Sequence, residues 1–241
     1  MTIDCNKRIH FSTVLMAAAI GACAFSAAAN ASALDRNIVT FYIPGATSIQ
    51  WSTHIDLLTG TGSSSGSIGP FSQACAILEG HPTTAGDIVT RRVYILDAGN
   101  GTSNTAMLHI FKKTDSITTV NGATSDAVQF IAEKSIVLPL SSNAGASCYM
   151  AANNTSVFAA TNFDVFPAIV DKNTLVASSG TLGVSSRINQ ITATDKGDVF
   201  VTFGVGANAG WAQWDNNSNN VAEGLNFGFT AVANTINGVS F

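Results

Sequence analysis

Residues 198–217 read DVFVTFGVGANAGWAQWDNN, and residues 156–173 read SVFAATNFDVFPAIVDKN. At an offset of 42 positions Ala151 falls on Ala193, Asn153 on Asp195, Ser156 on Asp198, Val157 on Val199 and Phe158 on Phe200. A shift of two residues then places Val170, Asp171 and Lys172 on Trp214, Asp215 and Asn216. The tails Val176 to Gly180 and Val221 to Gly224 follow in step. Strand, polar turn and strand recur in the same order, and the length difference falls in a loop, as it does when one supersecondary unit is repeated.

Outward from that pair, apolar residues alternate or gather in short β-branched and aromatic runs: Ile38–Ile43, Arg92–Leu96, Met107–Phe111, Ala127–Ile131, Ser135–Leu140, Val157–Ala160, Val199–Phe203 and Leu225–Ala233. Turn-forming clusters such as 97–101 and 215–217 separate them, which is the pattern of strands and turns. The nearest helical candidate, Gln73–Glu79, is too short to stand alone. The class is all-β.

A third copy of the unit runs from Val93 through Asp97 to Ile110, Phe111, Lys112 and Lys113, read as a strand, a Gly and Asn loop, and a strand ending in a charged turn. Fragments at both ends complete the series. Val39 to Phe41 leading to Trp51 copies Val201 to Phe203 leading to Trp214, and Asn234 to Phe241 copies the turn and strand start near Asp195. The stretches ATDKGDVFVTF and RRVYILDAG resemble the blades of β-propellers of the NHL and lactonase-like kind. That resemblance implies a small propeller of about four to five blades, closed by strands from both termini, with residues 114–145 outside the blade pattern. A β-sandwich is the alternative architecture.

Lys7 and Arg8 precede an apolar run that closes on Ala31, Ser32 and Ala33, the form of a secretory signal peptide. Residues 1–33 are therefore expected to be removed, leaving 34–241 as a single all-β domain. Cleavage before Cys23, with a lipid anchor on that cysteine, is the competing reading of the same segment. Beyond the leader no apolar stretch reaches the length of a transmembrane helix. With 11 basic against 15 acidic residues the chain is not a nucleic-acid binder. Only 11% of residues are charged, and Ser, Thr, Asn and Gly take their place, as in secreted, periplasmic or extracellular β-proteins. Cys75 and Cys148 are the cysteines left after the leader, and an oxidising compartment favours joining them. Both fall on the first strands of the blades that the resemblance implies.

Few residues carry chemistry. Gly62 to Gly66 spells G-x-S-x-G but lies in a Ser/Gly loop instead of a strand-to-helix turn. Asp215, Asn217 and Asn219 offer oxygens at alternate positions, the beginning of a calcium loop that lacks its Gly and terminal Glu. Calcium is thus the single cofactor the sequence admits. His54, His81 and His109 have no metal-ligand spacing, and His81, before Pro82 in a loop, is the histidine suited to a base or ligand contact. The equivalent positions Asn153, Asp195 and Asn234 suit repeated turns, and also a central metal of the lactonase kind that the resemblance implies. Trp51 and Trp214 sit where a blade needs a large core side chain, which leaves Trp211 as the ring available to a glycan. The expectation is a secreted or cell-surface bacterial binding protein that acts through the loop face of a propeller on an extracellular ligand or glycan; no residue is given a catalytic role. A propeller hydrolase or lyase and an adhesive β-sandwich subunit are the alternatives. An outer-membrane barrel, suggested by Phe241 and by Leu225, Phe227 and Phe229, has too few lipid-facing rows.

Overall fold

The computed structural model describes residues 39–42, 47–53, 65–86, 88–101, 105–120, 123–180, 186–194, 197–204 and 209–214. Within them lie fifteen strands in four antiparallel sheets, and no helix. The first sheet is β1 (Val39–Tyr42), β2 (Ile49–Thr53) and β3 (Ser65–Ile68), paired in that order. The second is β4 (Ala74–Glu79), β6 (Ile88–Asp97), β7 (Met107–Val120) and β8 (Ala123–Val137), with β5 (Thr83–Ala85) beside the far half of β6. The third runs β9 (Cys148–Ala152), β10 (Ser156–Thr161), β11 (Ala168–Asp171) and β12 (Ala177–Ser179). The fourth is β13 (Ile188–Ala193), β14 (Val199–Phe203) and β15 (Gly210–Trp214).

The third and fourth sheets show the repeat in register. Val157 opposes Val170 across β10 and β11, and Val199 opposes Trp214 across β14 and β15, the pairing that the shifted offset gives. Each unit is an up-and-down meander whose first strand is an edge.

Alternation along the strands explains how the sheets pack. Successive side chains point to opposite faces, so a strand apolar at both parities has two faces to bury. In β6, Val93 and Ile95 join Ile49 and Ile68 of the first sheet in one core. Their neighbours Tyr94 and Leu96 join Val157, Ala159, Ala168 and Val170 of the third. In β10 the roles pass on, because Phe158 and Ala160 pack with Ile188, Ile191, Val199 and Val201 of the fourth. The Val93–Leu96 part of the second sheet and β10 of the third are thus covered on both faces, by the sheets before and after them in the chain. Full burial of such side chains contributes about 1.5–3 kcal/mol each. Ala159 and Ala160 are both fully buried, and their small size sets how closely neighbouring sheets approach.

Cys75 on β4 is joined to Cys148 on β9 with their α-carbons 5.5 Å apart. The disulfide ties the first strand of the second sheet to the first strand of the third.

The segment around Cys75 is a strand, β4. Two sequence readings change. Lys112 and Lys113 lie in the middle of the 14-residue β7 and form no turn. The separate strands read at 127–131 and 135–140 are one, β8, which pairs with β7 along its whole length. The segment outside the blade pattern is largely this long hairpin.

Candidate functional site

A cleft of ≈420 Å³ opens where the second sheet meets the turns of the third. The second sheet supplies Gly80, His81, Thr83, Thr90, Arg91, Arg92, Tyr94, Lys112 and Glu133. The third supplies Asn154, Lys172 and Asn173.

The third-sheet side is built by side chains that close their own turns. Asn153 is buried, and its Oδ1 accepts from the N–H groups of Thr155 (3.0 Å) and Ser156 (2.8 Å). Its Nδ2 donates to the carbonyl of Gly197 at 3.1 Å. Asp171 Oδ1 accepts from the N–H groups of Asn173 (2.8 Å) and Thr174 (2.7 Å), an Asx turn of the kind these residues favour. Between the two turns Lys172 is held at three points. Its N–H donates to Thr155 O at 2.8 Å, its carbonyl accepts from Arg92 Nη1 at 2.8 Å, and its Nζ donates to Asn153 O.

The second-sheet side depends on a bulge. Ile110 pairs with Lys134 and Phe111 with Ala132, which leaves Glu133 as the extra residue of β8. Glu133 Oε2 accepts from Arg92 Nε at 2.8 Å. Burial acts against the charge of Arg92, but the bond and charge of Glu133 outweigh it and its pKa is raised. Lys172 is shifted down, first by burial and then by the positive charge of Arg92. Burial raises the Tyr94 hydroxyl, against the pull of Arg92.

Alternation turns the Arg91 and Lys113 head groups toward Glu79 on the other side of the sheet, although Arg91 still touches the edge of the cleft. There Arg91 Nη1 meets Glu79 Oε2 at 2.8 Å, and the fully buried Lys113 Nζ meets Glu79 Oε1 at 3.0 Å and Asp115 Oδ2 at 3.4 Å. Burial raises the Asp115 carboxyl, and Lys113 opposes the shift.

A second polar arrangement crosses β6, β7 and β8. His109 Nδ1 lies 2.8 Å from Ser135 Oγ, and His109 Nε2 lies 3.6 Å from Asp97 Oδ2. The order serine, histidine, carboxylate matches a nucleophile and its base, but the carboxylate is engaged elsewhere. Asp97 Oδ1 accepts from the N–H groups of Gln73 (2.7 Å) and Gly99 (2.9 Å), and Oδ2 from that of Ser72 (2.7 Å). Burial opposes its charge, yet His109 and these N–H groups hold its pKa down at about 2. The His109 ring is packed on Phe71 with centroids 5.1 Å apart. Asp97 is best read as the clamp at the start of β4. Asp164 does the same before β9, where Oδ1 accepts from Ser141 N at 2.9 Å.

Among the residues read from the sequence, His81 lines the cleft. Trp211 lies on β15 in the fourth sheet, 6.3 Å from the Phe200 ring, and is not brought to His81. Trp51 packs against Phe130 at 5.1 Å between the first and second sheets. Asn153 is a turn residue. His54, Asp195, Asp215, Asn217, Asn219, Asn234, the leader with Cys23, and residues 62–64 lie outside the described residues, as does the side chain of Trp214. Among the described residues no group of three or more His, Cys, Asp or Glu side chains is placed to hold a metal ion. No described helix is long and apolar enough to cross a membrane.

Arg92, Lys112, Glu133 and Lys172 were not singled out in the sequence. Arg92 and Lys112 show there only as members of the doublets RR at 91–92 and KK at 112–113, which alternation splits between two faces, and Glu133 and Lys172 carry no such signal.

No protein-family model and no curated protein matches the chain. Among solved structures it is similar to regucalcin, a calcium-binding protein from Agrobacterium tumefaciens. The identity is 10% and the TM-score 0.26, over 75% of this chain and 71% of that one. At those values the likeness carries neither fold nor chemistry to this chain.

Proposed function

We propose that this chain is an exported binding protein, built as a small β-propeller, that captures an extracellular solute in the cleft between its second and third sheets. The supporting observation is the construction of the cleft: Lys172, held at three points, and Glu133, displaced by a bulge, meet on Arg92 across two sheets. Bulges recur beside binding sites because they re-aim a side chain. The propeller reading draws support from two consecutive sheets whose inner strands, β6 and β10, bury side chains on both faces against their chain neighbours. Export accords with the leader and the disulfide.

The test is a thermal-shift screen of the chain from Leu34 onward against sugars and small organic solutes, with amide chemical-shift mapping of any hit. Perturbed amides should cluster at 80–83, 90–94, 112, 133, 154 and 172–173. Shifts centred on Trp211 and the outer face of the fourth sheet would refute this location.

A further inference from the structure

Resting on that reading, we infer that the solute is an acidic saccharide whose carboxylate is received by Lys112, Arg92 and Lys172. The argument begins with strand register. Arg91 opposes Lys113 and Arg92 opposes Lys112 across β6 and β7, and like charges set directly opposite destabilise a sheet. The two pairs are resolved differently. On the face toward the first sheet, Arg91 and Lys113 meet Glu79 and Asp115, two cations with two carboxylates. Arg91 also touches the cleft, but Glu79 answers its charge; the cleft's other cations, Arg92, Lys112 and Lys172, have only Glu133 between them. The sheet that neutralises one like-charge pair internally leaves the other in surplus, and the surplus lies in the cleft.

The surplus has a free head group. Lys112 is exposed and has no hydrogen bond or ion pair among the described residues, whereas Arg92 and Lys172 are held in place by theirs. An anion entering the cleft would meet one mobile ammonium and two fixed cations. The concentration of charge is uncommon for this chain, which has a net charge of −4. A carboxylate there relieves the mutual repulsion that acts on Lys172.

The rest of the lining selects among anions. Thr83, Thr90, Tyr94, Asn154 and Asn173 are uncharged donors and acceptors spread around the cations, with the His81 ring beside them, an arrangement suited to several hydroxyl groups on one ring. A volume of ≈420 Å³ falls in the range of small-ligand sites and fits one or two sugar rings.

The experiment titrates the chain with digalacturonate, its neutral digalactose counterpart and inorganic phosphate by calorimetry, at low and at physiological salt. Digalacturonate should bind at least tenfold tighter than digalactose and weaken as salt rises. Lys112→Gln should cost roughly five- to tenfold for digalacturonate and several-fold less for digalactose, with an unchanged melting temperature as the control for folding. Equal binding of the two sugars would overturn the acidic class while leaving the cleft as the binding site. Phosphate binding without sugar binding would overturn the saccharide. Failure of all three overturns this inference, and the solute screen with shift mapping separately decides whether the cleft binds anything.

Discussion

Asp97→Asn isolates one structural device with a calculable effect. The carboxylate gathers three backbone N–H groups that precede and follow it, two on Oδ1 and one on Oδ2. In the amide, Oδ1 keeps its two donors in weaker, neutral form, while the NH₂ group faces the Ser72 N–H donor to donor. An orphaned buried donor costs about 1–3 kcal/mol. An independent route gives a similar figure. Holding the carboxyl at about 2 against an ordinary 3.8 corresponds to about 2 kcal/mol of stability. Because the folded-state value is depressed, that contribution is complete above pH 4 and is lost as pH falls from about 4 through 2. The substitution should therefore lower stability by about 2–3 kcal/mol at pH 7, or roughly 5–10 °C in melting temperature for a chain of this size. It should also flatten this part of the acid limb. Urea unfolding of both proteins at pH 7, 4 and 2.5, disulfide intact, reads both effects. A variant within about 0.5 kcal/mol of the parent at pH 7, or one with the same loss between pH 4 and 2.5, would show that Asp97 does not clamp the start of β4.

Three further outcomes are expected. Replacing Cys75 and Cys148 by Ser removes a cross-link between residues 73 apart and should cost about 4 kcal/mol; a melting curve unchanged from that of the oxidised parent would deny the bond a role. Ala159→Leu should force apart the second and third sheets and Ala160→Leu the third and fourth, each at about 1–3 kcal/mol by overpacking, read by denaturation; a neutral result at either would mean that face is not buried. Lys113→Met removes the buried cation that bridges Glu79 and Asp115 and leaves Arg91 to answer both carboxylates, and should destabilise by about 3–5 kcal/mol at pH 7. Since burial already raises Asp115, its ionisation lowers stability as pH rises above its unfolded value near 4, so the deficit of this variant should shrink toward pH 4; a deficit constant with pH would contradict the pairing.

The fold was legible where the code is local. Val199–Phe203 is β14 to the residue, and the 42-residue offset with its two-residue shift became the register of the third and fourth sheets. The cysteine pair needed only counting. The second sheet was harder to read, because its edge strand β8 carries the polar run Glu133 to Ser135 within the strand. On a solvent-facing edge such residues are tolerated, but in a sequence they read as a turn. The cleft was harder still. That Arg92 opposes Lys112 follows from pairing residues 20 apart, and that Glu133 faces Arg92 follows from a bulge. No periodicity within one segment encodes either. His81, chosen for its loop position, lines the cleft without having been placed there by any motif.

β8 also has a bearing on how the molecule behaves in a crowd. Its 15 residues form the rim of the second sheet, and among the described residues no strand covers that side. A flat rim of such length would serve as a template for other chains. The extra residue at Glu133, together with Lys134, interrupts it with a kink and two charges near its C-terminal half, so a copy aligning along it meets a break in the ladder. The irregularity that carries Glu133 to Arg92 thereby also discourages polymerisation, and straightening it by deleting Glu133 would compromise solubility along with the cleft.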